Sequence, residues 1–202
     1  MHKLFVLTGF LVLMSFTTTE ISLSKKDRKF ALNYLKETKQ RLIDNVKNLS
    51  DDQLNWRPAD SVWSIANCIE HIAISEKNLF DWSMGSLQEA ANPAKRTEIK
   101  QTDEAIMKMI IDRSFRAKAP KELQPTGTLG SGRESLKAFI ERRDITIGFF
   151  KKTKEDLRNH FIVHPFLGTI DTYQMLLFMT GHTLRHTLQV EEIKSQSSFP
   201  KK

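Results

Sequence analysis

An all-α fold, a four-helix bundle of long helices with a short extra helix in a crossover connection, follows from three features of the sequence. Apolar residues recur at three- and four-residue intervals through four long stretches, the period of an amphipathic helix, and no convincing alternating run interrupts them. Glycine and proline are scarce, 8 and 6 among 202 residues, and their densest cluster separates two of these stretches. The 40% hydrophobic and 27% charged content is that of a globular domain, and a chain of this length buries roughly 70% of its unfolded surface, enough to fold without a staple. The single cysteine, Cys68, excludes an intrachain disulfide framework, and the composition excludes collagen-like and disordered classes.

The chain divides into a leader over residues 1–19, a helical domain over 24–194 and a polar tail over 195–202. Met1-His2-Lys3 is short and basic, Leu4 to Phe16 is an uncharged apolar run, and three threonines follow, the order of a secretory signal peptide. The run is too short for a spanning helix of about 20 residues, so export to the periplasm or medium is expected, with no stable membrane anchor. A first helix is expected over 24–49, with Phe30, Tyr34, Leu35, Thr38, Leu42, Val46 and Leu49 on one stripe. Ser50-Asp51-Asp52-Gln53 reads as a capping box opening a short turn of helix, and Trp56 and Trp63 flank Pro58 as apolar anchors. Ser64 caps a second long helix to about Met84, with Ile65, Ile69, Ile72, Leu79 and Phe80 inward. Residues 85–101 are a polar connection, and the short helix is placed at about 102–116, with Ile106, Met109, Ile110 and Phe115 inward. The breaker cluster from Pro120 to Gly132 precedes a long helix over about 133–160; His164 to Gly168 is a loop. A last helix over about 171–194, capped by Thr169 or Asp171, carries Met175, Leu176, Met179, Leu184, Val190 and Ile193.

His182 and His186 are four apart on this last helix, so both imidazoles share one face and can converge on one metal ion. The best third ligand is His71, on the flank of the second helix's apolar stripe. Three histidines leave a coordination position open, as catalytic metal sites do. Cys68 lies one turn from His71 and reads as a packed, inert core thiol, with ligand or nucleophile as the alternatives. His160 and His164 share the same spacing, but Pro165 disfavours helix at His164, so they read as a helix end and a loop contact. Glu191 and Glu192 either support the site or stand in solvent.

These residues resemble the DinB-like (DinB/YfiT) superfamily of metal-binding four-helix bundle proteins. The likeness is carried by Leu49 to Pro58 with Trp63-Ser64-Ile65, by Ile69-Glu70-His71-Ile72, and by His164 to Gly168 followed by Gly181 to Gln189, and it covers residues 25–194. By position, the family's three metal histidines fall on His71, His182 and His186. Asn67 departs from the pattern, since relatives often carry Glu or Gln there. The resemblance implies a divalent metal ion (zinc, nickel or iron) held by the triad plus water. It also implies chemistry of thiol S-transferase or thiol-dependent isomerase type, although most members have no assigned substrate.

The expectation is therefore an exported metal-dependent enzyme, transferase or hydrolase, acting on a small-molecule substrate such as a low-molecular-weight thiol. A non-catalytic metal-binding or interaction module of the cell envelope is the alternative, because no catalytic carboxylate or nucleophile stands out beside the triad. The formal charge of +7 becomes +6 without Lys3, and its bases are spread over most helices without an aromatic-interleaved patch, so nucleic acid is not expected. Phe149 and Phe178 are the apolar positions expected to face outward, where they would serve a homodimer.

Overall fold

The computed structural model describes residues 23–115 and 118–201, and the leader expected over residues 1–19 lies outside them. Four long helices, α1 (Lys25–Val46), α3 (Ile65–Ser86), α5 (Gly132–Lys152) and α6 (Thr172–Lys194), form the bundle. Short helices α2 (Asp51–Asn55) and α4 (Asp103–Ile111) lie in the connections, with 3-10 turns at Pro93–Glu98 and Lys121–Leu123. A two-stranded antiparallel hairpin, β1 (Phe161–His164) and β2 (Gly168–Asp171), pairs Phe161 with Asp171 and His164 with Gly168.

The helix starts are written into the sequence. Ser24, Ser50, Ser64, Thr102, Ser131 and Asp171 are N-caps, each accepting the backbone N–H three residues on. Each such cap contributes about 1 kcal/mol. Asn67 completes one of them: its Oδ1 accepts the Ser64 N–H at 3.2 Å, closing a capping box. The residue that departs from the family pattern is thus occupied in starting α3.

Helices α1 and α3 each pack against both α5 and α6, and α4 lies across α6 as the crossover helix. Every residue from Thr172 to Gly181 is buried, because this half of α6 is covered by its neighbours on all sides. Gly181 permits the close approach of α4: a Cβ there would lie 2.4 Å from Ile110 Cγ2. The apolar core has two clusters, one around Leu35, Ile106, Phe150 and Tyr173, the other around Leu42, Ile69, Phe139 and Val190. Along each long helix a polar residue sits between the two: Thr38, Glu76, Arg143 and Thr183. The Arg143–Glu76 pair is bidentate, at 2.7 and 2.8 Å, with both side chains fully buried.

Several boundaries differ from expectation. The fourth long helix ends at Lys152, not near 160, and Leu157 reaches the core from a turn instead. The loop expected from His164 to Gly168 is the turn of a β-hairpin whose flanking strands were not foreseen. Its first strand combines β-branched Ile162 and Val163, Pro165 forbids helical continuation, and Gly168 supplies φ of +70° at the turn back. Helix α4 stops at Ile111, so Phe115 falls beyond it and is 70% exposed, and Met109, within α4 but on its outer face, is 43% exposed; both were expected inward. Phe178, expected to face outward, is buried, and Phe149 is half-buried against Phe80 and Phe150. Neither presents the free apolar face foreseen for a homodimer. The tail returns to the domain: Phe199 packs edge-on against Trp56 at 5.5 Å, and the Pro200 carbonyl accepts from Gln53 Nε2 at 2.8 Å. Among the described residues no helix is long and apolar enough to cross a membrane.

Candidate metal site

His71 projects from the N-terminal half of α3, and His182 and His186 project from successive turns of α6. The packing of α3 on α6 brings the three rings together. Their Nε2 atoms converge: His71 to His182 is 3.3 Å, and His186 to His182 is 3.2 Å. Among the described residues this is the group of histidine, cysteine and acidic side chains arranged to hold a metal ion. His71 and His186 are buried, and His182 keeps partial exposure, so the cluster lies at the rim of the core.

The outer nitrogens explain why the inner ones face each other. The Leu123 carbonyl lies 2.6 Å from His71 Nδ1, and Gln189 Oε1 lies 3.0 Å from His186 Nδ1. Both oxygens only accept, so both Nδ1 atoms carry the proton and both Nε2 atoms present lone pairs. Burial holds all three imidazoles below their ordinary pKa, most strongly His182 and His186, where neighbouring histidines and Arg185 add to it. The Leu123 and Gln189 hydrogen bonds oppose the shift only in part. Neutral imidazoles with inward lone pairs are the metal-binding form, so the donor set fits a divalent ion that accepts nitrogen ligands.

Around the rings, Trp63 packs on His71 at 4.9 Å and on His186 at 6.1 Å, and Phe178 stacks on His182 at 6.2 Å. Gln189 Oε1 also accepts from Arg113 at 3.3 Å, and Arg113 forms a bidentate pair with Glu192 at 2.7 Å on both arms. Arg185 donates to the carbonyls of Ile110, Asp112 and Phe115, fixing the segment after α4 beside the site.

The other sequence candidates have other roles. Cys68 is fully buried and its thiol is pushed up to about 12 by burial, so it is the inert core residue expected and not a nucleophile. His160 Nδ1 lies 3.1 Å from the Ser86 carbonyl. His164 Nδ1 accepts the Phe166 N–H at 3.2 Å while its ring packs between Trp82 and Phe178. Neither joins the cluster. Glu191 pairs with Arg41 and Asn45, tying α6 to α1, whereas Glu192 supports the site through Arg113. Sequence reasoning did not identify the supporting roles of Leu123, Gln189 and Trp63. Gln189, one turn after His186, had a readable signal in its spacing; the Leu123 contribution is a backbone carbonyl and carries none.

A family model of the DinB superfamily matches residues 34–190. The chain is 26% identical over 166 residues to the uncharacterized protein YuaE of Bacillus subtilis (strain 168), covering 82% of this chain and 98% of that one. Among solved structures it is similar to YfiT from Bacillus subtilis, described as a probable metal-dependent hydrolase with an unusual four-helix bundle topology. The TM-score is 0.60 at 20% identity, over 89% of this chain and 93% of that one.

Proposed function

This chain belongs to the DinB superfamily, and from that premise we propose that it is a metal-dependent hydrolase acting on a small molecule, with His71, His182 and His186 as the ligands. The observation that carries the reading is the convergence of three Nε2 atoms, those of His71 and His186 each 3.2–3.3 Å from that of His182, with the outer nitrogens of His71 and His186 held by carbonyl oxygens. A divalent ion bound there supplies Lewis acidity, which lowers the pKa of a coordinated water or thiol and polarises a substrate carbonyl. The chain's own part is to fix the rings, exclude water with Trp63 and Phe178, and leave approach on the partly exposed side of His182. The description of the solved neighbour YfiT supports hydrolysis. A low-molecular-weight thiol as substrate, in an S-transferase reaction, makes the same demand on the site. Export is part of the reading, supported by the basic, apolar and small-residue order of residues 1–19.

The test is the metal content of purified protein, measured for wild type and for His182→Ala with His186→Ala. One equivalent in wild type and none in the double variant is expected; equal content in both overturns the reading. Hydrolysis of small ester or amide substrates, abolished by chelation and restored by metal, then separates an enzyme from a metal-binding module.

A further inference from the structure

We propose that Glu70 is a positioning residue for the histidine site, acting through the loop Lys121–Leu129. The proposal rests on the metal-site reading above. Glu70 immediately precedes His71 on α3 and is 3% exposed. Its carboxylate accepts the Gly127 N–H at 3.0 Å and the Leu129 N–H at 3.3 Å, with the Thr128 hydroxyl 3.4 Å away. These three partners come from one end of a single loop. The other end of the same loop delivers the Leu123 carbonyl to His71 Nδ1 at 2.6 Å. Two adjacent residues of α3 thus grip both ends of one loop, Glu70 as acceptor and His71 as donor.

Besides these contacts, Leu129 packs against the second core cluster and Gln124 donates to the Ala119 carbonyl, while much of the loop stands in solvent. Lys121, Glu122, Thr126, Gly127 and Thr128 are exposed, and its only regular structure is one 3-10 turn. Gly127, at φ +80°, makes the turn that aims the amides at Glu70. Charge-assisted hydrogen bonds donated by backbone amides to a buried carboxylate are the strong members of their class. They set the position of the loop and, with it, that of the Leu123 carbonyl. Without that acceptor His71 returns to the tautomer common in water, with the proton on Nε2. That proton would occupy the lone pair aimed at His182 and His186.

The experiment uses Glu70→Gln, which keeps the side chain's size and one acceptor but removes the second. In metal-free protein, long-range 1H–15N NMR of the imidazoles is expected to show His71 gaining the Nε2–H tautomer while His186 keeps Nδ1–H. Zinc affinity by chelator competition is expected to fall by about 10-fold, the scale of lost support behind a ligand histidine. A lower Tm with tautomer and zinc affinity intact marks ordinary loop packing and overturns the proposal. In wild type the Gly127 and Leu129 amides are expected to exchange with deuterium more slowly than that of Thr126; equal exchange overturns it even where the variant does not fold. A wild type that binds no zinc overturns the metal reading instead, and the metal-free tautomer measurement still decides the role of Glu70.

Discussion

The bundle contains two buried polar centres joined through adjacent residues of α6, Thr183 and His182, and they are built in opposite ways. At Arg143 every guanidinium N–H has a partner: two bonds to Glu76, one each to Thr38, Thr183 and the Leu35 carbonyl. Thr146 adds a bond to Glu76 from the other side. At the histidine cluster the outer nitrogens of His71 and His186 are satisfied and their inner ones, as acceptors, both face His182 Nε2. A polar centre closed on itself specifies packing; one left open toward a single point is specified for something that fills it. The difference is one of donor count: arginine brings five protons to its acceptors, whereas the imidazoles of His71 and His186 spend theirs on outer acceptors and turn lone pairs toward the shared point.

The largest expected effect breaks the closed centre. Arg143→Ala or Glu76→Ala leaves one buried charge without its partner and is expected to cost about 3–5 kcal/mol, seen as a loss in urea or thermal unfolding that metal does not rescue. Replacing both, as Glu76→Leu with Arg143→Met, is expected to recover most of that loss. If the double variant is no better than either single one, the pair is not the coupled unit its geometry indicates.

The open centre responds to what fills it. Wild type with zinc at 100 times the dissociation constant is expected to gain about 2.7 kcal/mol, read as a rise in Tm. His186→Ala should show no such rise while its metal-free stability stays close to that of wild type. A metal-free collapse of this variant would place the cluster with Arg143 as a folding element and erase the contrast.

The difference in legibility between these centres has a physical cause. His71, His182 and His186 were readable because ligand chemistry restricts residue type and helical periodicity restricts spacing. Arg143, Glu76 and Thr183 fall on the same helical stripes as apolar neighbours, where charge looks like an interruption; only the assembled bundle shows that three helices place their interruptions at one level and α1 adds Thr38. The four long helices were legible from caps and periodicity. The hairpin was not, since its strands are four residues each and too short to show an alternation. The carbonyl of Leu123 was invisible for a stricter reason: backbone groups have no residue code.

His164 offers a smaller effect on the way to the open centre. Burial pushes its pKa down to about 4, against about 6.5 for an unfolded chain. Between those values the unfolded state binds more protons, so stability is full above about 6.5 and declines as pH falls toward 4. Melting curves from pH 7 to pH 4 should show this decline, and His164→Gln should make it shallower by one group's share, with His71, His182 and His186 carrying the rest. An unchanged slope in the variant would assign the acid loss to other groups.

The smallest effects grade outward from His186. Gln189 touches the ring, Arg113 touches Gln189, and Glu192 clamps Arg113 near the surface. Gln189→Ala removes the acceptor that fixes the His186 tautomer and is expected to weaken zinc binding about 10-fold. Arg113→Met leaves that acceptor in place but frees its amide to turn, so a lesser loss is expected. Glu192 is about half exposed, and an ion pair in solvent is worth at most about 1 kcal/mol, so Glu192→Gln should change zinc affinity by less than about 5-fold. The order matters more than any single value. A cluster tuned by oriented hydrogen bonds loses affinity in proportion to how closely the altered group controls a lone pair. Simple electrostatics predicts the reverse sign for one member: removing the Arg113 cation would strengthen binding of a divalent cation. Zinc titrations of the three variants at two salt concentrations therefore separate orientation from charge, because screening acts on the second and leaves the first nearly untouched.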